Sequence, residues 1–309
     1  MRRIFTIGET VFDIIFKNDL PQTCRPGGAM LNSAVSLGRL ALPVYLISEY
    51  ADDHIGRQID AFLTANNVST HYIYHYINGR TPLALAFLDY QSNATYSFYK
   101  LYPEERLAIK FPAVSSDDII LFGSLYSVTT EIRKKLMTFI KEASRQSATI
   151  LYDPNIRKTG DHLDKEIIRQ VSENIKFSSV VRASDEDCKA LYEANNGEEA
   201  YRRIKEAGCR SLIYTSGGKK VELFTEQICC SFCLPEINTI STIGAGDTFN
   251  AGLIYSFVKL GINNTNIENV TECMWKEVIE NAVAFASDVC LSYDNYISHG
   301  FAEKFLMRR

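Results

Sequence analysis

Short apolar runs alternate with longer segments of helical period along most of this chain. That alternation points to an α/β fold, a mostly parallel sheet covered by helices. Residues 2–8 form an apolar run ending at Gly8, and Val44–Ser48, Ile119–Phe122, Thr149–Tyr152, Ser179–Val181 and Ser211–Tyr214 repeat the pattern. Residues 29–40, Ile55–Asn66 and Glu131–Arg145 carry apolar residues at helical spacing, and Ala245–Leu260 and Met274–Val289 predict two long closing helices. Two regions break the rhythm. Val11–Lys17 alternates in period two, and Leu83–Asp89 with Thr95–Tyr99 predicts a hairpin about the polar turn Gln91-Ser92-Asn93. These pieces predict a small β lid, from about 10–20 and 80–101, inserted into one α/β domain spanning 1–309.

Charge narrows the function classes. Thirty-three Lys and Arg face 37 Asp and Glu, a net charge of -4. That is a poor footprint for nucleic acid or an anionic membrane. No apolar run approaches the ~18 residues of a spanning helix. The basic start Arg2-Arg3 is not followed by a signal-peptide core. Eight scattered cysteines then read as reduced thiols of a cytoplasmic protein. Cys230-Ser-Phe-Cys233 has zinc-type spacing but no second pair, and reads as part of a strand.

The best chemical signal is Ser241-Thr-Ile-Gly244-Ala245-Gly246-Asp247-Thr-Phe-Asn-Ala-Gly252, ahead of a long predicted helix. Glycines there let backbone N–H groups converge, and the helix start adds partial positive charge, which suits a phosphate. A carboxylate inside an anion cradle makes sense as a base that takes a proton from an attacking hydroxyl. A glycine turn before an Asp-capped helix reads equally well from this fragment. Neither G-x-x-x-x-G-K-[ST] nor G-x-G-x-x-G follows a strand, so the common nucleotide loops are missing.

The fragments gain force together. Gly8-Glu9…Asp13, Gly27-Gly28-Ala-Met-Leu-Asn32, Asp52-Asp53-His-Ile-Gly56, Asp153-Pro154-Asn155-Ile-Arg157, Ala183-Ser184-Asp185-Glu186 and Gly244–Asp247 follow in an order that resembles the ribokinase-like (pfkB) carbohydrate kinases over nearly the whole length. Phe98-Tyr99-Lys100, Asp153-Pro154-Asn155 and Ala183-Ser184-Asp185-Glu186 look most like bacterial fructokinases. The resemblance implies ATP and Mg2+ as nucleotide and metal, a small sugar as substrate, and a homodimer formed through the lid. It implies Asp247 as the base, Gly244, Ala245 and Gly246 as the anion hole, and Arg157 at the γ-phosphate. Asp13, Gly27, Gly28, Asn32, Phe98, Lys100 and Asn155 fall on sugar-binding positions. Ser184, Thr215, Gly217 and Asn281 fall around the nucleotide, and Asp187 falls at the metal-linked position.

Two departures stand out. Ser241 replaces an Asp that often helps hold a monovalent cation such as K+, and a hydroxyl is much the weaker ligand for a hard cation. Lys100 stands where fructokinases often carry Arg, and an ammonium cannot make the same forked contacts. The expected activity is ATP-dependent phosphorylation of a primary hydroxyl, fructose to fructose 6-phosphate. The rivals are 2-keto-3-deoxygluconate or a riboside as acceptor, and a non-catalytic sugar-binding regulator.

Overall fold

The computed structural model describes residues 2–88, 94–156 and 163–307. The first strand, β1 (Ile4–Ile7), leads into the hairpin β2 (Val11–Lys17) and β3 (Leu20–Gly27), then α1 (Ala29–Arg39), β4 (Val44–Ala51), α2 (His54–Ala65) and β5 (Val68–Tyr76). A second hairpin, β6 (Arg80–Leu88) and β7 (Ala94–Leu101), follows. Its expected turn at Gln91–Asn93 lies outside the described residues. The chain continues through β8 (Ile119–Gly123), α3 (Thr130–Arg145), β9 (Thr149–Asp153), α4 (Lys165–Lys176), β10 (Val180–Ser184), α5 (Asp185–Tyr192), α6 (Gly197–Glu206), β11 (Leu212–Ser216), β12 (Lys220–Phe224) and β13 (Cys229–Cys233). Three helices close it: α7 (Ala245–Lys259), α8 (Glu272–Cys290) and α9 (His299–Leu306).

The large sheet has nine strands in the order β13-β12-β11-β10-β9-β8-β1-β4-β5. Strands β5 through β11 in that row are parallel, and β12 and β13 are added antiparallel at one edge. From β1 the chain goes to β4 and β5 on one side, then crosses to β8 on the other. Such a reversal opens a crevice at the carboxyl ends of the strands, where ligands bind in open α/β sheets. Alternation divides the core into two layers. Ile119 and Leu121 of β8 join the layer with α1, α7 and α8, while Ile120 and Phe122 join the layer with α3, α4 and α6. Helix α7 is buried from Thr248 to Phe257, as a helix apolar on all sides must be. At Gly252 it meets α8 so closely that a Cβ would fall 2.5 Å from Ala282 Cα.

The small sheet runs β3-β2-β6-β7 and contains the expected lid strands. Strand β3 went unread because Leu20-Pro-Gln-Thr-Cys-Arg-Pro-Gly27 has two prolines and no apolar alternation. It is an edge strand, where proline is tolerated. Ile15, Ala84 and Ala86 are buried on one face and Phe12 on the other; Leu20, Phe98, Tyr99 and Leu101 are exposed. A polar joint ties this sheet to the body. Asp53 caps α2 through Gly56 N (2.8 Å) and also accepts from Thr81 N (2.9 Å) and Thr81 Oγ1 (2.7 Å) on β6. Burial opposes the Asp53 charge, but these donors hold its carboxyl below the usual range.

Candidate active site

The first turn of α7 is built by a backbone that only glycine fits. Gly244 precedes the helix at φ 82°, and a Cβ there would lie 2.5 Å from the Asn295 carbonyl oxygen. Asp247 follows in the first turn, where the helix dipole favours a carboxylate. Its Oδ2 accepts from Asn32 Nδ2 at 2.8 Å, and its backbone oxygen accepts from Ser33 Oγ at 2.7 Å. The two glycine motifs of the sequence therefore meet in space. Asn32 is buried, and its Oδ1 has no partner within the protein. A buried amide oxygen left open in this way suits a hydroxyl donor.

Beside them lies Asp13 on β2. A Cβ on Gly27 would fall 2.0 Å from Asp13 Oδ2, so only glycine lets this carboxylate lie against the β3 backbone. Gly28, at φ 121°, starts α1 with its Cα against the Glu9 carbonyl. Asn295 Nδ2 donates to Asp13 Oδ2 at 3.3 Å, and Asn295 Oδ1 is buried and unpartnered. Asn295 was not among the expected residues. It belongs to no glycine motif, and only the return of the chain after α8 brings it between Asp13 and Gly244.

A cleft of about 910 Å³ opens on the other side of Gly246. Ser184, Thr215, Gly217, Ala245 and Gly246 line it, as the sequence reading expected, together with Arg182 and the apolar Val221, Leu234 and Ile237. Helix α8 presents Val283, Ala286, Ser287 and Cys290 to this cleft. Asn281 is on another face: its Nδ2 donates to Ser256 Oγ of α7 at 3.0 Å. Asn281, expected around the nucleotide, makes a helix-packing contact and is not among the residues lining this cleft.

Arg182 was also missed, since a single basic residue in the strand-like run before Ser184 carries no motif. Its Nη1 donates to Asp153 Oδ2 (3.1 Å) and its Nη2 to Thr215 Oγ1 (2.8 Å), while Asn250 Nδ2 donates to the same Asp153 oxygen (2.6 Å). Burial pushes the Asp153 carboxyl up to about 6, against the pull of the Arg182 guanidinium.

Asp187, expected at the metal-linked position, has its carboxylate engaged by the protein itself. Its Oδ1 accepts from Ile156 N (2.7 Å), and its Oδ2 accepts from Ser184 N (2.9 Å) and Ser184 Oγ (2.6 Å). Together with the Ser184 side chain it closes a capping box on α5. Asp185 and Glu186, in the same first turn of α5, do line the cleft. Among the described residues no three His, Cys, Asp or Glu side chains converge to hold a metal. That donor set fits Mg2+ bound mostly through water and phosphate oxygens. Ser241 turns inward on its own loop, its Oγ accepting from Ile243 N at 3.2 Å.

Lys100 does not stand as an open charge at the sugar side. Its Nζ donates to both Glu9 oxygens at 2.7 Å, and Tyr102 OH donates to the same carboxylate. Phe98, half exposed, lies under that ammonium at 4.9 Å. Asn155, at φ 39°, follows β9, and its N–H donates to Asp153 Oδ1 at 3.1 Å. Arg157 lies outside the described residues. Among the described residues no helix is long and apolar enough to cross a membrane.

Comparison with known proteins places this geometry. The model of the pfkB family carbohydrate kinases matches residues 1–296. A fructokinase of Vibrio alginolyticus is 25% identical over 264 residues, 82% of this chain and 83% of that one. A fructokinase of Rhizobium leguminosarum bv. trifolii is 28% identical over 236 residues, 74% of this chain and 71% of that one. Among solved structures, a fructokinase double mutant of Vibrio cholerae with fructose, ADP and potassium ion superposes at a TM-score of 0.85, with 20% identity, covering 99% of this chain and 98% of that one. Aminoimidazole riboside kinase of Salmonella enterica superposes at 0.82 with 19% identity, covering 99% and 100%.

Proposed function

This chain belongs to the pfkB family of carbohydrate kinases, and from that membership we propose that it transfers the γ-phosphoryl group of ATP to a primary hydroxyl of a small sugar. Fructose is the preferred acceptor and fructose 6-phosphate the product. The observation that carries this reading is the Asp247 carboxylate in the first turn of α7, held by Asn32 beside the Gly244–Gly246 backbone.

In this reading the sugar lies between Asp13, Asn32 and the lid, and ATP fills the cleft beyond Gly246. Asp247 takes the proton of the primary hydroxyl as the hydroxyl oxygen attacks phosphorus. The bond between phosphorus and the ADP oxygen breaks. The charge of the transferring group falls on the N–H groups at the start of α7 and on Arg157. Positioning and charge stabilisation supply most of the acceleration in such transfers. Mg2+ bound with the nucleotide would neutralise phosphate charge, with Asp185 and Glu186 holding it through water. Thr215, Gly217 and Ser184 border the nucleotide. A riboside is the second acceptor class, favoured by exposed Phe98 and Tyr99, whose rings offer a face for stacking.

The test is ADP release from ATP and Mg2+ with fructose, glucose, ribose, 2-keto-3-deoxygluconate or inosine, with and without K+. Fructose should turn over far faster than the others. Turnover restricted to inosine would replace fructose by the riboside. Silence across the panel, from folded protein that binds ATP, would remove the reading.

A further inference from the structure

Glu9 stands at the joint between the body and the lid. It lies between β1 and β2, and its backbone carbonyl oxygen would be 2.2 Å from a Cβ on Gly28. The lid register sets Asp13, Ala84 and Phe98 in one row. Lys100, two residues on from Phe98, takes the same face as Asp13. Glu9 holds the Lys100 ammonium between its two carboxylate oxygens, 2.7 Å from each, and Tyr102 OH donates to the same carboxylate. The Arg106 guanidinium lies 3.3 Å from the centroid of the Tyr102 ring and is itself paired with buried Glu49 at 2.6 Å. Burial and the Glu9 charge push the Tyr102 hydroxyl far up, so it stays a donor.

This pair adds little to stability. The Lys100 and Glu9 side chains are 34% and 26% exposed, and water screens such a pair. Its effect is on the local charge. Asp13 and Asp247 already place two carboxylates about the sugar space. Arg25, opposite Asp13 in register, donates to Asp294 at 2.8 Å and to the Tyr293 carbonyl. Both Lys100 and Arg25 are thus matched by carboxylates before any sugar enters. The open groups are acceptors: Asn32 Oδ1 and Asn295 Oδ1 are buried without partners. A hydroxyl can donate to them, whereas a carboxylate only accepts. An acceptor with its own carboxylate would lose water and find acceptors and like charge in return.

We propose that the site takes an uncharged polyhydroxyl acceptor and rejects a sugar acid, with Glu9 as the specificity-determining residue that neutralises Lys100. The inference rests on the kinase reading above and names the acceptor class within it. Tyr102 and Arg106 are positioning residues that hold the Glu9 carboxylate toward the lid. The Phe98 ring, 4.9 Å from the ammonium, keeps the lysine on that face. The bonds that form and break, and the proton taken by Asp247, are those of the transfer already described.

The experiment compares wild type with Glu9→Gln, Glu9→Ala and the double variant Glu9→Gln/Lys100→Met. Glutamine keeps an acceptor for Tyr102 and removes the charge. Two quantities are read for fructose and for 2-keto-3-deoxygluconate: kcat/KM, and affinity by calorimetry without ATP. Wild type should favour fructose. Both Glu9 variants should raise the ratio of acid to fructose about ten- to hundredfold, the range for one freed charge-assisted hydrogen bond. That gain should shrink as salt is added and vanish in the double variant, which has no ammonium to offer. A purely structural role for Glu9 would lower both acceptors together and leave the ratio alone. A folded Glu9 variant of either kind whose ratio stays within about twofold of wild type overturns the proposal, as does a wild type that prefers the acid. A riboside in place of fructose would correct the sugar and uphold the uncharged class. If wild type phosphorylates nothing in the panel, the kinase reading fails separately, and the ratio of affinities alone then judges Glu9.

Discussion

The nine-stranded sheet is covered by helices on both faces, whereas the four-stranded sheet is only partly covered and presents Leu20, Phe98, Tyr99 and Leu101 to solvent. The charges of the site follow that division. Asp153, Arg182, Asn250 and Asp247 belong to the strands and helices of the large body and are held by hydrogen bonds within it. Among the described residues the lid offers the ion pairs Lys100 with Glu9 and Arg25 with Asp294, and aromatic surface. A close-packed body can hold reacting groups in fixed geometry. A one-sided sheet buries less and yields more easily. The comparison teaches that rate should depend on the body and acceptor choice on the lid.

The sharpest way to break that division is Asp247→Asn. We expect kcat to fall about 10²–10⁴-fold with the melting temperature nearly unchanged, read by steady-state assay beside thermal unfolding. Full turnover would remove Asp247 as the base. Asp118→Ala tests the body far from the site. Its carboxylate accepts from Arg3 Nη2 at 2.6 Å and from Ser115 N at 2.8 Å, and it is 1% exposed. Losing it should cost about 2–4 kcal/mol in urea unfolding, because Arg3 is left with a broken, partly buried pair, while kcat of the folded enzyme stays the same.

Smaller effects sharpen the lid side. Asp53→Ala removes both the cap of α2 and the joint to Thr81, and should destabilise by about 1–2 kcal/mol. It should also raise sugar KM more than ATP KM, which paired KM measurements will show. Phe98→Ala should raise sugar KM about three- to tenfold, roughly 1 kcal/mol of lost ring contact, with kcat kept. The smallest effect lies at β5. His75 Nε2 meets Asp60 Oδ2 at 2.9 Å, and this bond raises the His75 pKa while Asp60 is held low. A raised histidine stabilises fully below its unfolded value near 6.5. That contribution disappears as pH climbs through the raised value. Both groups are about a third exposed, so the loss is well under about 1 kcal/mol. Melting curves at pH 6 and 8 should show a small drop that His75→Gln abolishes.

Much of the body was legible because period and motif agree there. The run Ile119–Phe122 and the helix over 245–260 appear within a residue or two of their expected bounds. Gly244, Gly246 and Asp247 could be read as an anion cradle with a base because the glycines and the carboxylate are contiguous. The setting of Asn281 was not legible for the opposite reason: a helix residue's face depends on which neighbour covers it, and its amide donates to Ser256 of α7. Asp187 was placed at the metal-linked position by the family resemblance; a carboxylate three residues after Ser184 also satisfies orphan N–H groups, and here it does.

By itself the sequence determined the alternation of strand and helix, the second lid hairpin and the glycine motifs with their adjoining carboxylate, all of which depend on residues near one another in the chain. Tertiary structure alone decided that Asn32 would meet Asp247 across 215 positions, that Asn295 would stand between Asp13 and Gly244, and that Arg182 would rest under the first turn of α7. The physical reason is that buried charges and amides are defined by their partners. Those partners come from distant strands, helices and loops that only the fold brings together.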